Sequence, residues 1–263
     1  MNVNANKNSA FQYILSLILG FISFMLFCIV SQFFTLKIFI PMPCSREKRK
    51  RINKKFLQLF AKFMVRSNLN VKLEIRGNEN LVFERPVFII ANHQTLLDSP
   101  LMLMLNSRVV LITTDWLNNT SFRLLLRKYV ELVAVSDGIE HGLAQVTTAM
   151  KRGDSVLVFP EGPRTAQGIG RFHKGAFYMA EKLNADILPV VLHGSPGIHG
   201  KKWYYLRRGR MVMKICEPIK HDDEQFGFGY AERTKKIATF FRDEYEKIDR
   251  EGLPPDSVAI ASS

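Results

Sequence analysis

The chain has 263 residues, a formal net charge of +13 and three cysteines. This length suits one large domain with an additional segment. The cysteines, at positions 28, 44 and 216, form no paired motif, which argues against a disulfide-stapled fold and indicates a reducing environment for the main domain. Most of the positive charge lies in residues 46–76, which contain eleven Lys or Arg residues and two Glu residues.

Residues 8–36 contain no charged side chain and are rich in Ile, Leu, Phe and Val. A helix of this length would extend roughly 44 Å, more than the roughly 30 Å hydrocarbon core of a bilayer. The pattern predicts a membrane anchor within residues 1–40, either one tilted helix or a helical hairpin that bends near Gly20. A cleaved signal peptide fits poorly, because the apolar run is long and lacks a small-residue cleavage site. A buried core helix of this length would be unusual.

Residues 41–70 form a basic segment that follows the apolar run. The cluster Arg-Glu-Lys-Arg-Lys-Arg at 46–51 favours anionic lipid as a partner, because it lies beside a predicted membrane segment. Such a cluster could also bind nucleic acid, but beside an apolar segment we expect no nucleic-acid partner. The positive charge also predicts that the main domain lies on the cytoplasmic side of a membrane, the inner membrane in a bacterium. Residues 56–64 then have helical apolar spacing, which predicts an amphipathic helix that lies on the bilayer or packs on the domain.

From residue 71 onwards, predicted strands alternate with predicted helices. The strands are predicted at 71–75, 87–91, 108–113, 131–135, 155–159, 187–192 and 210–215. The helices are predicted at 100–106, 121–128, 139–151, 174–183 and 230–248. This alternation predicts an α/β domain over residues 71–220, with a mixed, largely parallel sheet flanked by helices. A C-terminal helix and a loose tail are expected over residues 221–263.

A polar loop joins the predicted strand at 87–91 to the next helix. Ser99 and Pro100 suit the cap and the first position of that helix, so His93 is predicted to lie on the loop and Asp98 near the helix N-terminus. The helix dipole there favours a charged carboxylate. An ionised aspartate can hold a histidine in one tautomer and stabilise its protonated form, which suits the activation of a hydroxyl. The alternative is a loop histidine beside a capping aspartate.

A second loop, Phe-Pro-Glu-Gly-Pro-Arg at 159–164, follows another predicted buried strand and would by itself be an ordinary polar turn. With Asn-His-x4-Asp at 92–98, it resembles the glycerolipid acyltransferase family, which includes the lysophosphatidic acid acyltransferases. Residues 171–176 and 187–191 resemble two further sequence blocks of that family. The four blocks occur in the family's order, and the resemblance covers roughly residues 71–220.

The resemblance implies that His93 is a general base and that Asp98 orients it. In this family the histidine takes a proton from an acceptor hydroxyl, which then attacks the thioester of an acyl-CoA or acyl carrier protein. No cofactor and no metal are implied. The substrate-binding residues carried over from the family are Asn92, Glu161, Gly162, Arg164 and Lys174. Of these, the arginine would bind phosphate as a fork-shaped donor, whereas the lysine is equally compatible with an ordinary solvated helix start.

Three departures from the family pattern concern the acceptor. Pro163 replaces a threonine, His173 replaces a lysine, and residues 132–138 lack an arginine of the second block. These losses would weaken the binding of a phosphate dianion by a few kcal/mol if nothing compensated for them. A phosphate-free lipid or secondary-metabolite hydroxyl is therefore the alternative to a lysophospholipid acceptor. A thioester hydrolase and a non-catalytic lipid-binding scaffold are further alternatives, and the sequence does not determine the oligomeric state.

Overall fold

The computed structural model describes most of the chain between residues 14 and 251. The described ranges are 14–33 (without 16, 27, 28 and 31), 43–67, 70–81, 84–95, 98–106, 108–113, 130–135, 138–165, 168–194 and 209–251. The predicted helix at 121–128 and the predicted tail from residue 252 lie outside the described residues.

Seven strands form one sheet within the described part of the chain. They are β1 (Val71–Arg76), β2 (Phe88–Ala91), β3 (Val109–Thr113), β4 (Glu131–Ala134), β5 (Ser155–Val158), β6 (Ile187–His193) and β7 (Gly209–Ile215). Their spatial order is β1-β7-β6-β2-β5-β3-β4, and only the β6–β7 pair is antiparallel. The predicted mixed, largely parallel sheet is therefore confirmed.

Helices cover both faces of this sheet. They are α1 (Arg46–Arg66), α2 (Asp98–Leu105), α3 (Ile139–Lys151), α4 (Gly175–Lys182) and α5 (Gly229–Arg250). Short 3-10 helices lie at Asn78–Leu81 and Glu224–Phe226. Two apolar clusters result, one beneath α1 and α2 and the other beneath α3, α4 and α5. Strands β2 and β5 are buried at every position, because they lie between these clusters at the centre of a parallel sheet.

The start of α2 differs from the prediction. The helix begins at Asp98, so Ser99 lies inside its first turn and does not cap it. The reason is that the Asp98 carboxylate accepts the backbone N–H groups of Gln94 and Thr95, which fold back towards the helix start. Pro100 remains in the first turn, where a missing N–H leaves no helical hydrogen bond unmade.

Helix α1 contains both the basic cluster and the apolar stripe that follows it. Ser45 caps the helix, and its side chain accepts the backbone N–H of Lys48. Ala61 and Val65 are buried in the cluster shared with α2, so one face of the helix packs on the domain. Ile52 and Leu59 are exposed, so the helix also presents apolar side chains away from the sheet.

The N-terminal segment is helical at every described position between residues 14 and 33. The hydroxyl of Ser23 donates a hydrogen bond to the backbone carbonyl of Ser67, 3.0 Å away, at the end of α1. No helix among the described residues combines the length and apolar character that crossing a bilayer requires. Phe21 and Phe33 are 64 % and 66 % exposed, so the segment contacts the domain but leaves large apolar side chains uncovered.

Candidate active site

The two polar loops meet at one edge of the sheet. The loop that carries His93 follows β2, and the turn at residues 159–164 follows β5. Strands β2 and β5 are parallel neighbours, so their carboxyl ends lie side by side. In open α/β sheets this edge is where ligands bind. The backbone N–H of Thr165 donates to the carbonyl of His93, which joins the two loops directly.

The centre of the site is the pair formed by His93 and Asp98. The imidazole Nδ1 lies 3.0 Å from Asp98 Oδ2. The same carboxylate oxygen accepts the backbone N–H groups of Gln94 and Thr95 at 2.6 Å, and the Thr95 hydroxyl donates to Oδ1 at 3.2 Å. Asp98 is fully buried, and these donors together with the N-terminus of α2 stabilise its charge. The carboxylate is thus fixed in place before any substrate arrives.

The ring of His93 is positioned on two sides. Asp98 holds Nδ1, and Phe159 stacks on the imidazole with ring centroids 4.3 Å apart and an interplanar angle of 24°. The His93 side chain is 14 % exposed, so part of the ring reaches the surface. With its proton on Nδ1, a neutral imidazole presents Nε2 as an acceptor. Within the described ranges Nε2 has no hydrogen-bond partner, which leaves it available to take a proton.

Glu161 joins the loop that carries His93 to the segment around Gly170, which follows the turn at residues 159–164. Its Oε1 accepts the backbone N–H of His93 at 2.9 Å, and its Oε2 accepts the N–H of Gly170 at 2.8 Å. The side chain is buried. A Cβ atom at Gly170 would lie 2.5 Å from both Glu161 Oε2 and Thr165 Oγ1, so a larger residue there would displace these side chains. This geometry favours a positioning role for Glu161 over the expected contact with the acceptor.

Gly162, Arg164 and Lys174 lie at the rim of the same edge. Gly162 has a φ of +74° and its N–H donates to the carbonyl of Phe159, a conformation that glycine adopts without strain. The side chains of Arg164 and Lys174 are exposed, and neither forms an ion pair with any part of the chain that the structure describes. His173, which replaces a lysine of the family pattern, places its ring against Gly162. The rim therefore presents two cations available to bind an anion.

The side chain of Asn92 is hydrogen-bonded to the neighbouring strand β6. It is fully buried, and its amide donates to the carbonyl of Leu192 at 2.9 Å and accepts the N–H of Leu192 at 2.7 Å. Both polar atoms of the side chain are thus engaged with β6. These bonds fix the start of the loop that carries His93, and the expected role of Asn92 in substrate binding stays a prediction.

Two residues at the site carry no sequence signal of their own. The side chain of Gln94 donates to the carbonyl of Gly168 at 3.1 Å and to the hydroxyl of Tyr245 at 3.0 Å. Tyr245 lies on α5, 151 residues further along the chain. Only the folded structure brings them together, because Gln94 is an unspecified position of the first sequence block and Tyr245 lies outside all four.

The carboxylates of the site already accept hydrogen bonds. The carboxylates of Asp98 and Glu161 face backbone N–H groups, and Asp98 also faces the imidazole of His93. Across the described ranges, no three His, Cys, Asp or Glu side chains converge as they would around a metal ion. What this arrangement offers chemically is a proton acceptor next to exposed cations.

Comparison with known proteins agrees with this chemistry. A family model described as Acyltransferase matches residues 72–193, which include both loops. The 1-acyl-sn-glycerol-3-phosphate acyltransferase of Saccharomyces cerevisiae is 26 % identical over 212 residues, which cover 74 % of this chain and 68 % of that protein. The alpha enzyme of the same name from Bos taurus is 26 % identical over 68 % of this chain and 64 % of its own length. The chain thus spans about two thirds of the length of these relatives.

A solved structure has the same fold. The crystal structure of the 1-acyl-sn-glycerophosphate acyltransferase PlsC from Thermotoga maritima superposes with a TM-score of 0.71, at 24 % identity, over 90 % of this chain and 98 % of that chain. The protein is therefore an acyltransferase, with its acyltransferase domain at residues 72–193. More particularly, the chain is similar to the 1-acyl-sn-glycerol-3-phosphate acyltransferases, in agreement with the resemblance that the four sequence blocks predicted.

Proposed function

We propose that this protein transfers a fatty acyl group from an acyl thioester to the free hydroxyl of 1-acyl-sn-glycerol 3-phosphate, with His93 as the general base. The observation that carries the proposal is the His93–Asp98 pair, in which Nδ1 is held by a buried carboxylate and Nε2 is available. The names of the relatives supply the acceptor. The donor belongs to the thioester class, acyl-CoA or acyl carrier protein.

The reaction needs one base, which later acts as an acid. Nε2 of His93 takes the hydroxyl proton while the acceptor oxygen attacks the thioester carbonyl carbon, and Asp98 stabilises the resulting imidazolium. The tetrahedral intermediate then loses the thiolate, which takes the proton back from Nε2. The products are the acyl ester and a free thiol, so atoms and charges balance. A positioned general base of this kind contributes roughly 10²–10⁴-fold to the rate.

The exposed cations at the rim support a phosphate-bearing acceptor. Arg164 offers a fork of N–H donors that suits phosphate geometry, and Lys174 adds a second charge. Arg164 directly follows Pro163 and Lys174 directly follows His173, the two positions at which this part of the chain departs from the family pattern. We infer that they compensate for the missing donors, so a lysophospholipid is bound more tightly than a phosphate-free alcohol.

The membrane is the proposed site of action, because both substrates carry acyl chains. Exposed apolar residues of the N-terminal segment, including Phe21 and Phe33, support this location. Helix α1 adds exposed Ile52 and Leu59 among its many basic residues. We infer binding to the anionic, cytoplasmic surface of a membrane. Co-sedimentation with vesicles that contain anionic lipid, and none with neutral vesicles at moderate salt, would support it.

The reaction is tested with the full-length protein in lipid or detergent. Labelled acyl-CoA and acyl carrier protein are offered with 1-acylglycerol 3-phosphate, other lysolipids and phosphate-free alcohols. His93→Ala is measured beside His141→Ala, which alters an exposed histidine on α3. We expect ester product with the lysophosphatidate, lost in His93→Ala and retained in His141→Ala.

Other outcomes distinguish the alternatives. Faster turnover of a phosphate-free alcohol would reject the phosphate-bearing acceptor but keep the reaction. Free fatty acid released without any acceptor would indicate a thioester hydrolase. Lipid binding without turnover, equal in wild type and His93→Ala, would indicate a scaffold and overturn the proposal.

A further inference from the structure

We propose that Tyr245 and Gln94 are positioning residues, through which helix α5 holds the catalytic loop in its active geometry. This inference rests on the proposed role of His93. Tyr245 lies outside the four sequence blocks, and Gln94 occupies one of the four unspecified positions between His93 and Asp98. They act through the backbone that carries the catalytic pair.

Gln94 is the link between the loop and its surroundings. Its backbone N–H is one of the donors to Asp98 Oδ2, the oxygen that also accepts from the imidazole of His93. Its buried side chain donates to the carbonyl of Gly168 and to the hydroxyl of Tyr245. A shift of Gln94 would therefore move a donor of Asp98 and, through it, the orientation of His93.

Tyr245 reaches this point from the last turns of α5. Burial raises the pKa of Tyr245, so its hydroxyl stays neutral and can accept the Gln94 amide. One turn later, Asp249 accepts a hydrogen bond from Nε2 of His193, the last residue of β6. The His193 ring lies 4.4 Å from the Tyr245 ring, and burial lowers the pKa of this histidine, which favours its neutral form. One face of α5 thus contacts the carboxyl edge of the sheet at two positions.

Helix α5 does not depend on the Tyr245 hydroxyl for its attachment. Ile237 and Phe241 are buried in the core beneath it. Ion pairs join Glu244 to Lys214 on β7, and join Arg76 at the end of β1 to Glu251 just after the helix. Removal of one hydroxyl should therefore leave the helix in place and loosen only the catalytic loop. This separation makes the inference testable by a conservative variant.

The first test compares Tyr245→Phe with Tyr178→Phe. Tyr178→Phe removes a hydrogen bond of similar length, in which the Tyr178 hydroxyl on α4 donates to Glu140 at 2.8 Å on the protein surface. For Tyr245→Phe we expect kcat to fall about three- to tenfold, the range that one hydrogen bond supplies, with KM for both substrates and Tm unchanged. Tyr178→Phe should match wild type. Equal kcat in all three proteins would overturn the inference. A fall in kcat that is accompanied by a fall in Tm would overturn it as well.

The second test asks whether Tyr245 acts through Gln94. Gln94→Met keeps the side-chain length and removes the amide, and the double variant with Tyr245→Phe completes a double-mutant cycle. We expect the double variant to have the kcat of Gln94→Met alone. Independent, additive losses would show that Tyr245 acts by another route and would overturn the inference.

A third readout does not require turnover. Hydrogen–deuterium exchange at the amides of Gln94 and Thr95, both donors to Asp98, should be faster in Tyr245→Phe than in wild type. Tyr178→Phe should leave these amides unchanged. If wild type shows no acyl transfer, the proposed function fails, whereas the exchange experiment still decides whether α5 braces the loop. Equal exchange in all proteins would overturn the bracing itself.

Discussion

The side chain of Asn92 forms two hydrogen bonds with the backbone of Leu192, one to its carbonyl and one from its N–H. Leu192 lies on β6, and Asn92 directly follows β2, its parallel neighbour. The amide therefore continues the ladder between the strands, while the main chain turns away from it. This turn leaves the N–H of His93 to donate to Glu161 and its carbonyl to accept from Thr165.

Asn92→Ala should destabilise the protein by about 2–4 kcal/mol, because it leaves a buried N–H and a buried carbonyl of Leu192 without partners. The free energy of unfolding in urea measures this loss. Asn106→Ala is a suitable comparison, since Asn106 accepts one exposed backbone N–H, from Arg108, and should lose about 1 kcal/mol or less. Equal losses for the two variants would contradict the bonds to Leu192.

Asp98→Asn should lower kcat by roughly 10²-fold or more, because an amide can neither stabilise the imidazolium nor ensure the correct tautomer. Steady-state kinetics measure the loss, and near-UV circular dichroism checks that the fold is retained. Asp223→Asn alters a partly exposed carboxylate that caps a 3-10 helix outside the site and should keep wild-type kcat. Retention of more than half of kcat in Asp98→Asn would contradict the role of the pair.

Gly170→Ala should cost about 1–3 kcal/mol of stability, as overpacked sites do, and should also lower kcat. The added Cβ would lie 2.5 Å from Glu161 Oε2, so Glu161 must move and release the N–H of His93. Thermal unfolding and kinetics measure the two effects. Gly175→Ala is the stability control, because its Cβ would meet Ile139 at 3.5 Å, an ordinary contact.

Arg164→Gln should raise KM for the lysophosphatidate about tenfold or more, since a charge-assisted hydrogen bond contributes about 1.5–3 kcal/mol. KM for the acyl donor should change little. The measurement is a kinetic series over acceptor concentration, with Arg242→Gln, an exposed arginine on α5, as the control. An equal effect on a phosphate-free alcohol would show that Arg164 does not bind the phosphate.

Lys54→Met should destabilise the protein by about 1–2 kcal/mol at neutral pH. This is less than the 3–5 kcal/mol for isolating a buried charge, because Arg152 still contacts Asp154. Burial alone would raise the pKa of Asp154, but hydrogen bonds from Arg152 and Lys54 outweigh burial and lower it. Lys55→Met, which alters an exposed neighbour, should be close to neutral.

The effect of Lys54→Met on stability should depend on pH. Because the pKa of Asp154 is lowered in the folded protein, its ionised form contributes stability above the ordinary aspartate pKa of about 4. That contribution is lost as the pH falls through the folded pKa. The stability difference between wild type and Lys54→Met should therefore shrink below about pH 4. A difference that persists undiminished in acid would contradict the ion pair.

Much of the sheet could be predicted because its central strands are short apolar runs. Strands β2 and β5 are buried on both faces, so they have no polar position to obscure the pattern. Helix α3 was predicted at its observed bounds, Ile139–Lys151, since a glycine precedes it and another follows it closely. The pairing of His93 with Asp98 could be predicted because only five positions separate the loop histidine from an aspartate at the start of the next helix.

The supporting contacts could not be predicted, because they depend on the folded direction of single side chains. The motif identified Glu161 but not that its two oxygens accept N–H groups from different segments. The hydrogen bond between Gln94 and Tyr245 joins residues 151 positions apart, and no sequence motif or periodicity links the two. The early start of α2 at Asp98 likewise depends on hydrogen bonds from Gln94 and Thr95.

The position of β1 at the sheet edge has a consequence for the order of assembly. Its neighbour is β7, and the ion pair between Glu74 and Arg210 joins residues 136 positions apart. Strands β2 to β6 lie within residues 88–193 and can pair before β7 is synthesised, whereas β1 must wait for β7. Because such distant pairing is slow, β1 remains an open edge on the nascent chain until synthesis passes β7. Helix α5 forms later still, so the brace on the catalytic loop is among the last parts of the enzyme to be completed.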